Sequence, residues 1–289
     1  MEKVKIKFAS KRALIILLAL ILLCAFLSGF YFYRYHYYEF YGFVDAMRLS
    51  ERWVLKHEKF DADEMAFFRL SDFDIADTLV LVNTEYPLDD EDDPALVSVG
   101  DGHLICADID EDLLKLFDAC LEATGEELSI TSSFRTFENQ EAIYAVNEFA
   151  VPPGASEHQC GLAVDVRTDE HASLNFIKSD AGKWLAKNAH KYGFIIRYPY
   201  WGEDETGVTY EPWHLRYVGE PHAQIIYRTK IVLEEYTSLY EDGEFYLFEN
   251  YVISHQACEE GTFLFPSNAE NIVISSDNMG GYFIWGEIA

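Results

Sequence analysis

Residues 153–166 read PGASEHQCGLAVDV, and residues 210–219 read YEPWHLRYVG. In the first stretch Val164 and Val166 alternate with Asp165, which predicts a β-strand whose two valines face a core. Asp165 then lies on the other face, where a carboxylate requires a partner because an unpaired buried charge is costly. The chemistry of the chain is therefore expected in these two stretches.

The two stretches supply the side chains of a metal site. His158, Asp165 and His214 offer two imidazoles and one carboxylate, a set of three ligands that leaves zinc an open position for water. Glu211, close to the last ligand but not needed as one, is the natural general base for that water. Other histidines of the chain are interpreted as core or surface residues: His171, His190, His222 and His255.

The spacing of Glu211 and His214 carries a structural requirement. On a regular strand, residues three positions apart point to opposite faces, so the acid and the ligand could not share a site. Pro212 lies between them and cannot donate a hydrogen bond to a neighbouring strand. We therefore predict a kink or bulge at Pro212.

The joined motifs resemble those of a known family. Ser156-x-His158-x-x-Gly161-x-Ala163-x-Asp165, followed by Glu211-Pro-Trp-His214, is similar to the pattern of the VanY-like zinc D-alanyl-D-alanine carboxypeptidases, which are LAS-type metallopeptidases. The similarity continues at Ser132–Arg135, Gly193–Pro199, Leu79–Asn83, Pro87–Leu88 and Asp277–Gly281. It extends from about residue 78 to residue 289.

The resemblance implies one zinc ion per chain, held by His158, Asp165 and His214, with Glu211 as the catalytic base. It also implies that Arg135 holds the carbonyl of the substrate or its oxyanion, whereas the residue alone reads equally as a surface arginine at a helix start. Four further residues match substrate-pocket positions of the family: Gln140, Ser156, Tyr198 and Trp213. Core packing also explains the tryptophan.

Three residues depart from the family pattern. Ser133 and Phe134 replace a glycine and a tyrosine, and Cys160 stands where threonine or serine is common. These positions do not touch the proposed ligands, so they bear on substrate detail rather than on activity, and Cys160 is expected to pack rather than to bind zinc. The cysteines after the N-terminal segment either form disulfides, with three possible pairings, or remain buried thiols: Cys106, Cys120, Cys160 and Cys258.

An apolar segment lies close to the N-terminus. Ala13–Tyr33 contains 21 residues without a charge, and a helix of that length covers ~30 Å, the thickness of a bilayer core. The basic flank before it predicts a cytoplasmic N-terminus and a single-pass anchor in the bacterial cell membrane, with the rest of the chain outside. Its residues are Lys3, Lys5, Lys7, Lys11 and Arg12. A cleaved signal peptide is the alternative, although no A-x-A-like site closes the segment.

The 289 residues carry a formal net charge of −28, from 22 basic and 50 acidic side chains. The charge is uneven: −19 over residues 35–129, −4 over 130–218 and −10 over 219–289. Nucleic acid is excluded as a partner, because binding it requires a basic surface. The nearly neutral middle stretch contains the proposed zinc site.

The predicted fold is α+β, with helices at about 110–124 and 136–147 packed on a small, mainly antiparallel sheet that carries the zinc site. Asp108 and Glu111 form a capping box for the first helix, and Gly125 ends it. Further expected elements are a helix at 43–57, strands at 78–83 and 128–132, a solvated acidic loop at 87–94 rather than a calcium site, and β-rich runs at 245–253, 271–275 and 282–285.

Four domains are predicted. They are a cytoplasmic tail and membrane anchor (1–34), a membrane-proximal stalk (35–77), a zinc carboxypeptidase domain (78–228) and a small β-rich C-terminal extension (229–289).

Together these features predict a zinc-dependent D,D-carboxypeptidase that removes the terminal D-alanine of peptidoglycan stem peptides outside the membrane. An L,D-carboxypeptidase acting on tetrapeptide stems, or a D,D-dipeptidase, would use the same chemistry. A non-catalytic wall-binding or sensor protein is the alternative of another class, and such a protein could lose Glu211 without cost. A third interpretation, that the chain is a single-pass anchor for a partner complex, is supported only by the stalk and the C-terminal extension.

Overall fold

The computed structural model describes residues 11–90, 94–147 and 150–288. The chain divides into two units, Met1–Met47 and Arg48–Ala289. The basic residues at positions 3, 5 and 7 and part of the acidic loop, residues 91–93, lie outside the described residues.

Two helices form the described part of the first unit. α1 spans Lys11–Tyr35 and α2 spans Tyr37–Ala46. α1 contains the predicted apolar helix, and none of its residues is buried. It is long and apolar enough to cross a membrane, a property that a signal sequence near the N-terminus shares.

The second unit contains both strands and helices. Its strands are β1 (Lys56–Glu58), β2 (Met65–Arg69), β3 (Ile75–Ala76), β4 (Leu96–Ser98), β5 (Leu104–Cys106), β6 (Ser129–Ser132), β7 (Ala163–Arg167), β8 (Phe194–Tyr198), β9 (Glu211–Tyr217), β10 (Phe245–Phe248), β11 (Tyr251–Gln256), β12 (Thr262–Pro266), β13 (Glu270–Ser276) and β14 (Tyr282–Glu287). Its helices are α3 (Asp110–Thr124), α4 (Phe137–Tyr144), α5 (Asp180–Asn188), α6 (Glu203–Thr206), α7 (His222–Thr229) and α8 (Leu233–Thr237).

A central sheet of four strands has the order β6-β7-β9-β8, and each neighbouring pair is antiparallel. Val164 and Val166 of β7 are buried, as predicted. They belong to one core cluster with Leu116 of α3 and Leu185 of α5. The mixed helix-and-sheet fold predicted from the sequence is thus confirmed.

Helix α3 ends as predicted but begins differently. Gly125 follows its last residue with φ 73°, in the left-handed region that favours glycine at a helix end. The predicted capping box is wrong, since the N-cap residue is Ile109 and no side chain caps it. A 3-10 turn, Ala107–Ile109, leads directly into the helix and takes the place of a side-chain cap.

The segment at 78–83, predicted as a strand, is buried but irregular. The amide of Leu79 donates to Ser275 Oγ at 2.9 Å, and the carbonyl of Val80 accepts from Arg216 Nη2 at 2.8 Å. These backbone groups bond to side chains rather than to a neighbouring strand. The apolar pattern therefore predicted burial correctly and pairing wrongly, because the partners are distant in sequence.

A second sheet has six strands in the order β1-β10-β11-β14-β13-β3. β1 and β3 come from the predicted stalk and the other four from the predicted extension, and β2 of the stalk also pairs with β12. The predicted helix at 43–57 is wrong: α2 ends at Ala46, and Lys56–Glu58 is a strand because pairing with β10 completes its backbone hydrogen bonds. The domain boundaries stay a prediction.

All five cysteines are free thiols. Burial raises the pKa of Cys120 and of Cys160 to about 11, so both are neutral near pH 7. Of the two alternatives left open by the sequence, the structure has the thiols.

His222, the first residue of α7, is fully buried among aromatic side chains. Its ring centroid is 4.4 Å from that of Trp285, and its Nδ1 is 2.6 Å from the hydroxyl of Tyr236. Burial lowers the pKa of His222 to about 3. In the unfolded chain a histidine takes up a proton below about pH 6.5, so between these two values the unfolded state binds the additional proton and acid favours unfolding.

We expect the free energy of unfolding to fall as the pH is lowered from 6.5 towards 3, with a contribution from His222. Urea unfolding of the full chain in detergent micelles measures it. His222→Gln removes the titrating group, so its stability deficit relative to the unmodified chain should shrink by on the order of 3 kcal/mol between pH 7 and pH 4. Tyr236→Phe keeps the imidazole and should keep the pH dependence; a constant deficit for His222→Gln would contradict the expectation.

Candidate active site

His158 lies on a 3-10 turn, Glu157–Cys160, that precedes β7. Gly161 ends the turn with φ 72°, in the left-handed region. A Cβ at this position would also come within 2.9 Å of the backbone nitrogen of Cys106. Glycine is therefore required here, and the turn leads directly into the strand that carries Asp165.

The bulge predicted at Pro212 is confirmed. Ile196 of β8 pairs with Leu215, whereas Tyr198, two residues further along β8, pairs with Glu211, four residues back along β9. The two extra residues of β9 remove the strict alternation of faces. As a result Glu211 Oε2 lies 3.9 Å from His214 Nδ1, on the same side of the strand.

The three predicted metal ligands converge. One potential ligand atom from each of His158, Asp165 and His214 lies within 4.8 Å of the other two. His214 Nδ1 is 2.8 Å from Asp165 Oδ1, and His158 Nε2 is 3.4 Å from Asp165 Oδ2. Two imidazole nitrogens and one carboxylate oxygen that face a common point fit the protein ligands of a zinc ion with an open position.

The charges of the three side chains depend on one another. Burial would raise the pKa of Asp165, but the contacts with His158 and His214 hold it well below its usual range. Burial would lower the pKa of His214, yet Asp165 and Glu157 raise it to about 9. His158, with less compensation, has a lowered pKa because of its burial. A carboxylate anion thus faces one imidazole that attracts a proton and one that does not.

Glu211 retains contact with solvent while lying beside the ligands. Its side chain is 27% exposed, compared with 5% for His214. Burial is the largest influence and raises the pKa of Glu211, with Asp165 adding to the rise and His214 and Arg135 opposing it. A carboxylate with a raised pKa at the edge of the ligand set is suited to accept a proton from water.

Arg135 is directed towards the site by its neighbours. Its backbone amide donates to the carbonyl of His158 at 3.1 Å, and its Nη1 donates to Gln140 Oε1 at 2.7 Å. Gln140 is buried, and its Nε2 donates to the carbonyl of Val151 at 2.8 Å. Burial lowers the pKa of Arg135, whereas the negative charge of the nearby Asp165 acts to raise it. The amide of Gln140 is therefore used to hold Arg135.

The remaining predicted pocket residues lie in or next to the elements that carry the proposed ligands. Ser156 is buried just before the turn, and the Tyr198 ring centroid lies 5.0 Å from that of His214. Trp213 is partly buried and packs against the core of the central sheet. Cys160 Sγ donates to the carbonyl of Glu157 at 3.0 Å, a packing role consistent with the expectation that it does not bind zinc.

Sequence reasoning missed a buried cluster of charges behind the ligands. Glu157 Oε1 accepts from Arg197 Nε and Arg216 Nη1, each at 2.7 Å, and all three side chains are fully buried. Burial would raise the pKa of Glu157, but the two guanidinium groups hold it far below its usual range. The available signal was an arginine between apolar or aromatic neighbours in each of two strands: Arg197 follows Ile196 in β8, and Arg216 lies between Leu215 and Tyr217 in β9.

The VanY family model, described as D-alanyl-D-alanine carboxypeptidase, matches residues 102–220. The chain is 34% identical over 183 residues to VanXYC of Enterococcus gallinarum, a bifunctional D-Ala-D-Ala dipeptidase and D-Ala-D-Ala carboxypeptidase, and covers 93% of it. The chain belongs to the VanY family. It is also 37% identical over 181 residues to YodJ of Bacillus subtilis (strain 168). Each of these matches covers 55% of this chain, and the chain spans 66% of the length of YodJ.

Solved structures give the same relationship. VanXYg, a D,D-dipeptidase in complex with a D-Ala-D-Ala phosphinate analogue, matches with a TM-score of 0.65 and 27% identity, over 81% of this chain and 99% of that one. VanY from a VanB-type resistance cassette, in complex with Zn(II), matches with a TM-score of 0.50 and 36% identity, over 55% of this chain and 98% of that one. LdcB, an LD-carboxypeptidase, matches with a TM-score of 0.52 and 32% identity, over 66% of this chain and 96% of that one. The fold of the central sheet is therefore that of the VanY family.

We expect Asp165→Ala to lower the affinity of the full chain for zinc by more than about 100-fold, because it removes the only carboxylate of the proposed ligand set. Competition with a chromophoric chelator measures the affinity. The matched control is Asp277→Ala, which removes the carboxylate of another His–Asp pair, His255 Nε2 to Asp277 Oδ2 at 2.8 Å. Equal affinities of the two variants would contradict the assignment.

Proposed function

We propose that this chain is a zinc-dependent D,D-carboxypeptidase that removes the terminal D-alanine from peptidoglycan stem peptides. The observation that carries the proposal is the convergence of His158, Asp165 and His214, with the spare carboxylate of Glu211 on the same side. The relatives that act on D-Ala-D-Ala support the choice of substrate. One zinc ion per chain accounts for the ligand set.

The residues of the site divide the work of amide hydrolysis. When bound, zinc supplies Lewis acidity and makes water a nucleophile near neutral pH. Glu211 takes the proton of the attacking water and delivers it to the leaving amine of D-alanine. Arg135, held by Gln140, presents a fixed guanidinium to the negative charge that develops on the carbonyl oxygen. Tyr198 packs on the ring of His214 and limits its movement.

The proposed location follows from the first helix. α1 would anchor the chain in the bacterial membrane through residues 13–33, with the N-terminus in the cytoplasm and the second unit outside. Peptidoglycan stem peptides lie on that side of the membrane. Anchoring would therefore keep the site close to its substrate.

Glu211→Gln tests the catalytic role of the carboxylate. The amide keeps the shape of the side chain but cannot accept the proton, so turnover of a pentapeptide stem should fall by about 10²–10⁴-fold. Zinc content of the full chain, measured by elemental analysis, should stay at that of the unmodified protein. Glu220→Gln, at an exposed position after β9, serves as the control. Turnover equal to that of the control would exclude Glu211 as the base.

An L,D-carboxypeptidase is the second candidate, because LdcB, an LD-carboxypeptidase, is among the similar structures. The relatives that are named for D-Ala-D-Ala carboxypeptidase activity favour the D,D-carboxypeptidase. Mass analysis of the products from penta- and tetrapeptide stems separates the two activities. We expect the pentapeptide to lose one D-alanine and the tetrapeptide to remain intact. If only the tetrapeptide were trimmed, the chain would be an L,D-carboxypeptidase rather than a D,D-carboxypeptidase. A wall-binding protein without catalysis would trim neither, and the retained Glu211 argues against that alternative.

A further inference from the structure

Two buried polar atoms face each other behind the proposed metal site. His214 Nε2 lies 3.5 Å from Glu157 Oε2, and the two side chains are 5% and 0% exposed. In the described part of the chain, neither atom has another hydrogen-bond partner. Buried polar atoms rarely remain without a partner, because each would carry the full cost of its lost hydration. The pair therefore requires an explanation.

The position of Glu157 is set by the groups that bind its other oxygen. Oε1 accepts from Arg197 Nε and Arg216 Nη1, both at 2.7 Å. Arg216 also donates to the backbone carbonyls of Thr78 and Val80. Arg197 donates to both carboxylate oxygens of Glu234 in α8. With its Oε1 held by two fully buried arginines, Glu157 directs Oε2 towards His214.

The ligand atom of His214 decides where its proton must be. Nδ1 is the atom that faces Asp165, at 2.8 Å, so Nδ1 is the nitrogen available to a metal. A neutral imidazole that binds through Nδ1 carries its proton on Nε2. The carboxylate of Glu157 is the acceptor placed to receive that proton.

We propose that Glu157 is a positioning residue of the metal site, which accepts the Nε2–H of His214 and so fixes the tautomer and orientation of this ligand. The inference rests on the proposed function, because it presupposes a metal at His158, Asp165 and His214. A carboxylate behind a ligating histidine also increases the basicity of the imidazole, and loss of such a partner typically weakens metal binding 10–100-fold. Glu157 touches neither substrate nor metal.

Two glutamates that share one arginine provide a matched test. Glu157→Gln and Glu234→Gln each remove a carboxylate charge from Arg197. In Glu157→Gln the two arginines keep the amide oxygen on their side, so an NH2 group, which cannot accept a hydrogen bond, faces His214 instead of Oε2. Zinc affinity of the full chain in detergent micelles, measured by chelator competition, should fall by about 10–100-fold in Glu157→Gln. It should change by less than about 3-fold in Glu234→Gln. Equal zinc affinities in the two variants would overturn the inference.

A second measurement does not require any variant to fold. The chain contains nine histidines, so ¹⁵N-histidine labelling gives few signals in a long-range nitrogen–proton NMR spectrum of the zinc-loaded protein. His214 should show the Nε2–H tautomer, with a downfield proton that exchanges slowly. His158 provides the contrast, because its Nδ1 has no hydrogen-bond partner among the described residues. A His214 proton that exchanges as fast as that of His158 would overturn the inference.

Failure of the inference and failure of the proposed function give different results. If the unmodified chain binds no stoichiometric zinc, the proposed function is wrong. If the unmodified chain and Glu157→Gln bind zinc equally tightly, the zinc site stands and the positioning role of Glu157 is wrong.

Discussion

The proposed metal ligands of this chain are packed against a carboxylate that lies behind them. Glu157 is inaccessible to solvent, and two guanidinium groups share its Oε1. Burial of an isolated carboxylate is costly, and these two charges offset that cost, so Glu157 remains ionised inside the protein. Because it precedes His158 in the same turn and faces His214, the placement of this one carboxylate constrains both imidazoles.

The same ion pairs join segments that are far apart in sequence. Arg216 of β9 donates to the carbonyls of Thr78 and Val80, which explains why an apolar segment is buried there without forming a strand. Arg197 of β8 binds Glu234, which lies in the predicted C-terminal extension. Removal of Glu157, Arg197 or Arg216 would leave a buried charge unpaired. The same ion pairs therefore stabilise both the proposed site and the attachment of these distant segments.

Sequence patterns over a few residues correctly predicted the features that depend only on neighbouring residues. Alternation in β7 placed Val164 and Val166 in the core, and the same period of two required the bulge that brings Glu211 beside His214. Long-range pairing lay beyond such patterns. Glu157 and its partner Arg216 are 59 positions apart, and each alone resembles an ordinary polar residue within a motif. Lys56–Glu58 became a strand only because β10, near residue 245, completes its hydrogen bonds.

The nearly neutral charge of residues 130–218 has a physical counterpart at the site. On its inner side, Glu157 is neutralised by two arginines, whereas on the outer side the carboxylates of Asp165 and Glu211 are opposed by Arg135. Burial would lower the pKa of His214, but its direct contacts with the carboxylates of Asp165 and Glu157 raise it to about 9. A proton and a metal ion are therefore alternatives at the Asp165–His214 contact, since a dication at the ligand set must displace the proton from Nδ1. In the proposed enzyme, only the state with zinc at this contact could activate water, whereas the protonated state could not.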